Sequence, residues 1–483
     1  MVVRARLTPP RETRQEWPWH KVKSASLHAS LLFSGGRRME ADNFLASGFG
    51  TRLAIESKGA GWTRMIDVAR TWQPSRLKGI QVSPEFGTPF LAATQVYDVR
   101  PVPRKWLSLN RTSDYVERFV KEGTILLTCS GSVGRATLAH STIDKILVSH
   151  DLLRIEPYEQ DWWGWVYAYL RAPTVREMMK AAQYGHIIKH LETHHIDELP
   201  IVNPADNDVL RLCNDIAQKV ITCRVHAARK MTEAEAEFSA QFPTAEVSFD
   251  NAGFTNRASD VLFRGRRRFD AWSHNPEKTA LEKYLKAGCR AWVTLRDAGC
   301  DVWLPNRFRR IPAEDGVDLI DSSQIFELNP EYSRRISASG VSDKYNGFVQ
   351  PGWLMMSRSG QVYGLLGSVA MATKQHEEKI ISDDVIRIDP GSSLLSGYLY
   401  VVLNHAVLGR PRVKALAYGS SIPHIEVEDL KEWLIPRLQP TAEKQIAELA
   451  ERAFTLWSEA DEYENRLADI AEAEIERLLH SKD

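Results

Sequence analysis

Four blocks of this 483-residue sequence occur twice, in the same order and about 230 residues apart, so whatever one half folds into the other half must fold into as well. LFSGGRRMEA at Leu32–Ala41 returns as LFRGRRRFDA at Leu262–Ala271, and GTILLTCSGSV at Gly123–Val133 returns as GWLMMSRSGQV at Gly352–Val362. ILVSHDLLRIEP at Ile146–Pro157 matches KIISDDVIRIDP at Lys379–Pro390, pairing Ser149, Asp151, Arg154 and Pro157 with Ser382, Asp384, Arg387 and Pro390. The fourth block runs from Tyr184-Gly185 through His190 and Glu192 to Pro204, echoed by Tyr418-Gly419, His424, Glu426 and Pro440. No single match is specific, but their collinearity is that of two diverged copies of one domain. Stretches 50–120 and 275–350 do not align, and there the copies are expected to differ in what they recognise. Residues 1–30 have no counterpart and read as an extension.

Each copy ends at a proline-marked switch into helix, near Pro204 and between Pro436 and Pro440. In the second helix Ile446, Leu449, Ala453, Leu456, Ala460, Tyr463, Leu467 and Ile470 alternate steps of three and four, an a/d seam. Val209, Cys213, Ile216, Val220, Cys223 and Ala227 repeat the spacing in the first. Helices of roughly 35 to 40 residues at 1.5 Å per residue are about 50 to 60 Å long. Two such stripes are either buried in one core or paired with each other; their narrowness favours pairing. Within each copy, short apolar runs broken by Ser-Gly turns read as strands, and stretches such as Trp165–Leu170 and Tyr398–Leu403 open helices. The expected fold is α+β: two homologous mixed α/β domains, 31–204 and 243–440, separated by helices 205–242 and 441–483 that pair as an antiparallel coiled coil. That arrangement is a dumbbell with a pseudo-two-fold axis.

Charge is unevenly spread although the chain is neutral overall. Residues 441–483 hold 12 acidic and 5 basic side chains, and 205–241 hold 6 and 5, which leaves the two repeats together at about +8. That excess suits a polyanionic partner, or an ordinary solvated surface. No apolar run approaches membrane-span length and the N-terminus lacks a signal-peptide core, so a cytoplasmic protein without a membrane partner is expected. Five cysteines with no ligand spacing suit a reducing compartment.

Walker-type phosphate loops, dinucleotide fingerprints, HExxH and the Asn/Asp-Pro-Pro-Tyr motif of amino-methyltransferases are all absent from the sequence. The sharpest enzymatic alternative is the histidine-rich segment 184–197, where His186, His190 and His194 share a helical face that could bind zinc. The repeat weakens it: Ser420 and Glu428 replace His186 and His194, and Pro423 interrupts the helix. No metal ligand set and no catalytic residue is therefore assigned. Arg37-Arg38 and Arg266-Arg267-Arg268 are either solvated turns or phosphate contacts. Arg135, Arg358 and Gln361, beside the Ser-Gly turns, carry the side-chain types that make bidentate contacts to guanine and adenine.

The layout resembles the specificity (S) subunit of type I restriction-modification systems over nearly all of residues 31–483. The features that carry the resemblance are the Arg38–Ala41 and Arg268–Ala271 blocks, the strand-turns at Gly123 and Gly352, the loops at Gly185 and Gly419, and Glu443-Lys444-Gln445-Ile446 opening the second helix. The first helix departs from the pattern with Asp206-Asn207-Asp208-Val209. The resemblance implies two target-recognition domains, each reading half of a split DNA sequence, with the helices as spacer. It implies no catalytic activity and no cofactor in this chain. Its partners would be double-stranded DNA, two methyltransferase subunits that bring S-adenosylmethionine and, in complexes that cut, restriction subunits, all serving anti-phage defence. To the DNA-contacting set the Gly-led loops add His186, Lys189, Ser420 and Ser421; the helix-pairing set is Val209, Ile216, Val220, Ile446, Leu449, Leu456, Tyr463 and Leu467. A protein-binding adaptor without DNA contact is the remaining alternative.

Overall fold

The computed structural model describes residues 26–30, 41–76, 79–111, 115–183, 189–242, 253–263, 268–332, 334–341 and 347–481. Two compact units emerge, Met1–Val96 with Pro101–Ile221 and Glu462–Asp483, and Tyr97–Arg100 with Thr222–Asp461. Each long helix contributes one portion to each unit.

Among the described residues the first unit holds strands β1 (Trp62–Arg64), β2 (Ala69–Trp72), β3 (Gln81–Val82), β4 (Thr88–Leu91), β5 (Lys105–Leu107), β6 (Ile125–Thr128), β7 (Ala136–Leu138), β8 (Leu147–Val148), β9 (Leu152–Pro157) and β10 (Pro200–Val202). Its main sheet runs β2-β9-β6-β7, a second runs β3-β5-β4-β8, and β1 pairs with β10. The run Ile125–Thr128 is buried at every position, as expected of a central strand covered on both faces.

The second unit holds β11 (Ala291–Thr294), β12 (Asp301–Trp303), β13 (Pro312–Ile320), β14 (Arg335–Ile336), β15 (Leu354–Ser357), β16 (Val369–Met371), β17 (Ile380–Ile381), β18 (Val385–Asp389) and β19 (Leu434–Arg437). Its sheets run β12-β18-β15-β16, β14-β13-β17 and β11-β19. The registers coincide with those of the first unit. Leu126 faces Arg154 and Thr137; Met355 faces Arg387 and Ala370. Two copies of one mixed α/β domain are present, as the repeat predicts.

The repeat extends into stretches that look unrelated in sequence. Trp72 faces Arg154, and Trp303 faces Arg387. Gln95 accepts from Ala92 N (3.1 Å) and donates to Val102 O (2.7 Å), while Gln324 accepts from Asp321 N (2.9 Å) and donates to Glu331 O (2.7 Å). The expectation that 50–120 and 275–350 do not align is therefore corrected: TQVYDVRP at 94–101 and SQIFELNP at 323–330 are one element. In the first copy β3 and β4 are separate strands, Gln81 and Thr88 both facing Leu107, whereas in the second the single bulged strand β13 supplies both, Pro312 and Val317 facing Ile336.

Helices α1 (Ser47–Glu56), α2 (Trp163–Arg171), α3 (Pro173–Ala182) and α4 (Asn207–Ala240) follow in the first copy, and α5 (Pro276–Gly288), α6 (Ser396–Asn404), α7 (Arg410–Lys414) and α8 (Pro440–His480) in the second. Asp206 caps α4, its Oδ1 accepting from Asp208 N (2.9 Å) and Val209 N (3.1 Å). Pro440 opens α8, and Glu443 folds back to accept from Leu438 N (2.8 Å) and from Arg437 at 2.9 Å.

Glycine seats a short helix on each long one. At Gly164 a Cβ would lie 2.4 Å from Asn214 N, and at Gly397 one would lie 2.3 Å from Ala447 O. The amides freed by this approach are satisfied, Gly164 N donating to Asn214 Oδ1 (2.6 Å) and Gly397 N to Glu451 Oε1 (3.0 Å).

Portions of α4 and α8 meet within each unit. In the first unit Lys219 Nζ stands 5.8 Å from the Tyr463 ring, and in the second Cys223 Sγ lies 4.0 Å from Glu459. Ile216, Val220, Ile446, Leu456 and Leu467 are buried, whereas Val209, Leu449 and Tyr463 are only partly so. On α8 Ala450, Trp457, Glu464 and Ala471 take the fully covered places one residue beyond the expected ones. The covered stripe is wider than an a/d seam because α8 also carries globular contacts. Within the first unit Tyr167 donates to the buried Glu464, which Arg171 approaches to 3.3 Å, and Thr174 bonds Glu472. In the second unit α4 does the same work: Arg100 pairs with Glu235 (2.9 Å), Phe238 packs on Tyr398 and Ser239 reaches His405 (2.8 Å).

Candidate nucleic-acid interface

In each copy the Ser-Gly turn lies beside a segment remote in sequence, Lys189–Leu191 in the first and Pro423–Ile425 in the second. Ser130 bridges His190 in the antiparallel sense, with Gly131 N donating to Lys189 O (3.0 Å) and Leu191 N to Cys129 O (2.9 Å). Ser359 bridges His424 in the same way, with Gly360 N donating to Pro423 O (3.0 Å) and Ile425 N to Arg358 O (3.0 Å). A serine hydroxyl closes each latch onto the next strand's aspartate: Ser130 Oγ to Asp151 at 3.3 Å, Ser359 Oγ to Asp384 at 2.9 Å. Gly131 and Gly360 have φ of 74° and 141°, which fixes glycine at the turn.

Beneath each latch lies a buried arginine. Arg154 donates to Ser149 O (2.9 Å), Val148 O (3.1 Å) and Leu152 O; Arg387 donates to Ser382 O (2.8 Å), Ile381 O (2.8 Å) and Val385 O. These guanidiniums gather carbonyls at the ends of β8 and β17 and the starts of β9 and β18, Ser382 O accepting from Val385 N (3.3 Å) as well. Burial lowers the pKa of both.

The serine cluster is a latch and not a nucleophile's setting. Ser130 Oγ contacts both Asp151 and His190 Nδ1 (3.0 Å), so the hydroxyl sits between the two groups that would have to be joined to each other in a relay. In the second copy His424 Nε2 is engaged by Glu426 at 2.9 Å. His194 and His195 stack at 3.9 Å, and His195 Nδ1 accepts from Glu192 N (2.9 Å), capping a short helix. Among the described residues no three His, Cys, Asp or Glu side chains gather as a metal site.

Arg37, Arg38, His186, Arg266 and Arg267 lie outside the described residues. Arg268 has its guanidinium committed: it chelates Asp270 (2.7 Å twice), donates to Leu416 O (2.8 Å) and Ala417 O, and faces the Tyr418 ring at 5.6 Å. Burial would raise the Asp270 carboxyl, but the Arg268 bonds override it and hold the pKa below its ordinary value. Arg358 stands 3.5 Å from both Asp384 and Glu426, tying the two loops together. Arg135 and Lys189 are half-buried at the latch of the first copy. Gln361, Ser420 and Ser421 are exposed together at the latch of the second. Sequence reasoning passed over Tyr363 and Ile422, which protrude from these same loops, because an exposed aromatic reads as core until its loop is placed.

No family model and no curated protein matches the sequence. Among solved structures, the chain is similar to the type I restriction-modification S subunit from M. genitalium, at 11% identity over 88% of this chain and 98% of that one, TM-score 0.28. It is also similar to the HsdS subunit from Thermoanaerobacter tengcongensis, at 14% identity over 88% and 97%, TM-score 0.26. A chain from a type I restriction-modification system described for its complex assembly is similar at 13% identity over 86% and 97%, TM-score 0.28.

Proposed function

We propose that the chain is a non-catalytic DNA-specificity subunit that reads a bipartite target and directs partner adenine methyltransferase subunits, and restriction subunits where the system has them, in defence against foreign DNA. The observation that carries this reading is one scaffold used twice with different side chains at the same place. Both copies latch the same pair of loops over the same buried arginine, yet at matched positions the first carries Ser132, Arg135 and Lys189 where the second carries Gln361, Ser368 and Pro423. Constant support beneath variable polar tips suits readout of two unlike half-sites, since base edges are distinguished by the donors and acceptors set against them. The long helices would act as the rod that fixes how many unread base pairs separate the half-sites, paired as a coiled coil. The basic excess of the repeats would face phosphates.

The test is to co-express the chain with the methyltransferase encoded beside it, purify the complex and map methylated adenines in the host genome. A bipartite motif that vanishes when this chain is deleted is the expected result. No complex and no motif would discard the reading. Intrinsic cleavage or methylation by the isolated chain would move the function to an enzyme.

A further inference from the structure

The two latch loops differ in length. Thr128 O accepts from Gly134 N (2.9 Å) and Ser357 O from Gly367 N (2.8 Å), so these glycines, with φ of 80° and 65°, close the same turn. The loop from Ser357 to Gly367 is nonetheless four residues longer than that from Thr128 to Gly134. The extra residues form a projection with a fixed base. Leu366 is fully buried, Gly364 N donates to Gln361 O (2.8 Å), and Tyr363 stands out at 79% exposure. On the adjoining loop, joined through Gly360 N and Pro423 O, Ile422 is 67% exposed. Around these apolar tips lie the exposed Gln361, Ser420 and Ser421.

Resting on the DNA-reading role above, we propose that Tyr363 is a wedge that enters a base step of the half-site read by the second copy, with Ile422 beside it. Side chains that part stacked bases are apolar and stand on a rigid base, and here the base is the doubly latched loop pair. The polar ring around the tips matches base edges next to the opened step. A protein partner fits less well, because a stable interface covers about 800 Å² per side whereas one aromatic side chain supplies roughly 150 to 250 Å². The first copy lacks the projection, so its half-site stays stacked.

The experiment uses the purified complex with its methyltransferase and duplexes carrying the mapped target, with 2-aminopurine placed in turn through each half-site. Expected are a rise in 2-aminopurine emission at one step of the second half-site only, its loss in Tyr363→Ala, and a roughly 5- to 150-fold weaker affinity for that variant, the range of one aromatic–base stack. Tyr363→Phe should keep both within about threefold, since the ring and not the hydroxyl acts. Wild-type affinity and emission in Tyr363→Ala overturn the wedge, as does an affinity loss with no emission change in the wild type. Loss of the methyltransferase from the complex with Tyr363→Ala overturns it in favour of a protein contact. If the wild-type complex binds no bipartite duplex at all, the DNA-reading role itself fails, and the wedge with it.

Discussion

Asp98 bridges Glu327, and each is the other's counterpart in the repeat. Val99 N donates to Phe326 O at 2.7 Å and Leu328 N to Tyr97 O at 2.7 Å, so each segment receives the bond it gives. Contact of this reciprocal kind has local two-fold symmetry, as in an isologous interface between subunits, although here both strands belong to one chain.

The amides of Val99 and Leu328 should therefore exchange with solvent at similar, slowed rates. Val99→Pro and Leu328→Pro each delete one of the two bonds and should each cost about 1 kcal/mol or more. Hydrogen exchange resolved to these residues checks the first statement and denaturation midpoints the second. Fast exchange at both amides would mean that the bridge does not persist in solution.

Gly164 and Gly397 should tolerate no side chain. Valine at either site would drive a methyl into main chain, and overpacking of that kind costs about 1 to 3 kcal/mol. Thermal unfolding of Gly164→Val and Gly397→Val should show comparable losses, whereas Gly50→Ala, inside α1 with open space around it, should raise stability by about 0.5 to 1 kcal/mol.

Replacing Arg387 or Arg154 by Met should cost about 3 kcal/mol or more, because bonds to three carbonyls are lost at once, with only Ser382 O keeping a second donor, Val385 N. Lysine should rescue poorly, since an ammonium lacks the planar fork that reaches carbonyls on two sides. Soluble yield and urea midpoints of the four variants are the measurement.

His405 predicts a stability loss on acidification. Its Nδ1 accepts from Val407 N (3.3 Å) and Leu408 N (3.1 Å), which leaves the proton on Nε2 facing Ser239 Oγ. Burial lowers its pKa, offset in part by Glu235 and reinforced by Arg100. The unfolded chain takes up a proton near pH 6.5 while the folded chain resists it, so the contribution is present above that pH and is lost as pH falls toward the folded value. Between pH 7.5 and 5.5 the midpoint should fall further in the wild type than in His405→Gln. An equal fall in both would assign the acid sensitivity to other groups.

Much of the fold is legible in the sequence because a duplicated core keeps its apolar strands and its Ser–Asp–Arg spacing. Ile146–Pro157 and Lys379–Pro390 announce β9 and β18 and even the arginine opposite the central strand. Gln95 and Gln324 do not stand out, since one polar residue in a loop carries no period and its value lies in two hydrogen bonds that only folding creates. The seam on α8 is widened to take in Ala450, Trp457 and Glu464 because a heptad pattern assumes one partner, and this helix also receives Tyr167 and Arg171. Of the basic residues singled out as contacts, Arg268 and Arg358 have guanidiniums already committed to carboxylates, pairings that a linear reading cannot distinguish from solvated charge. The latch of Ser130 with His190 spans sixty positions and has no local signature at all.

The buried guanidiniums of Arg154 and Arg387 act inward, on main-chain oxygens, and not on the tips above them. Their stabilising bonds are therefore indifferent to which side chains the tips carry. Drift at Gln361, Tyr363 or Ser420 leaves those bonds untouched, so each copy can change what it displays without renegotiating how it folds.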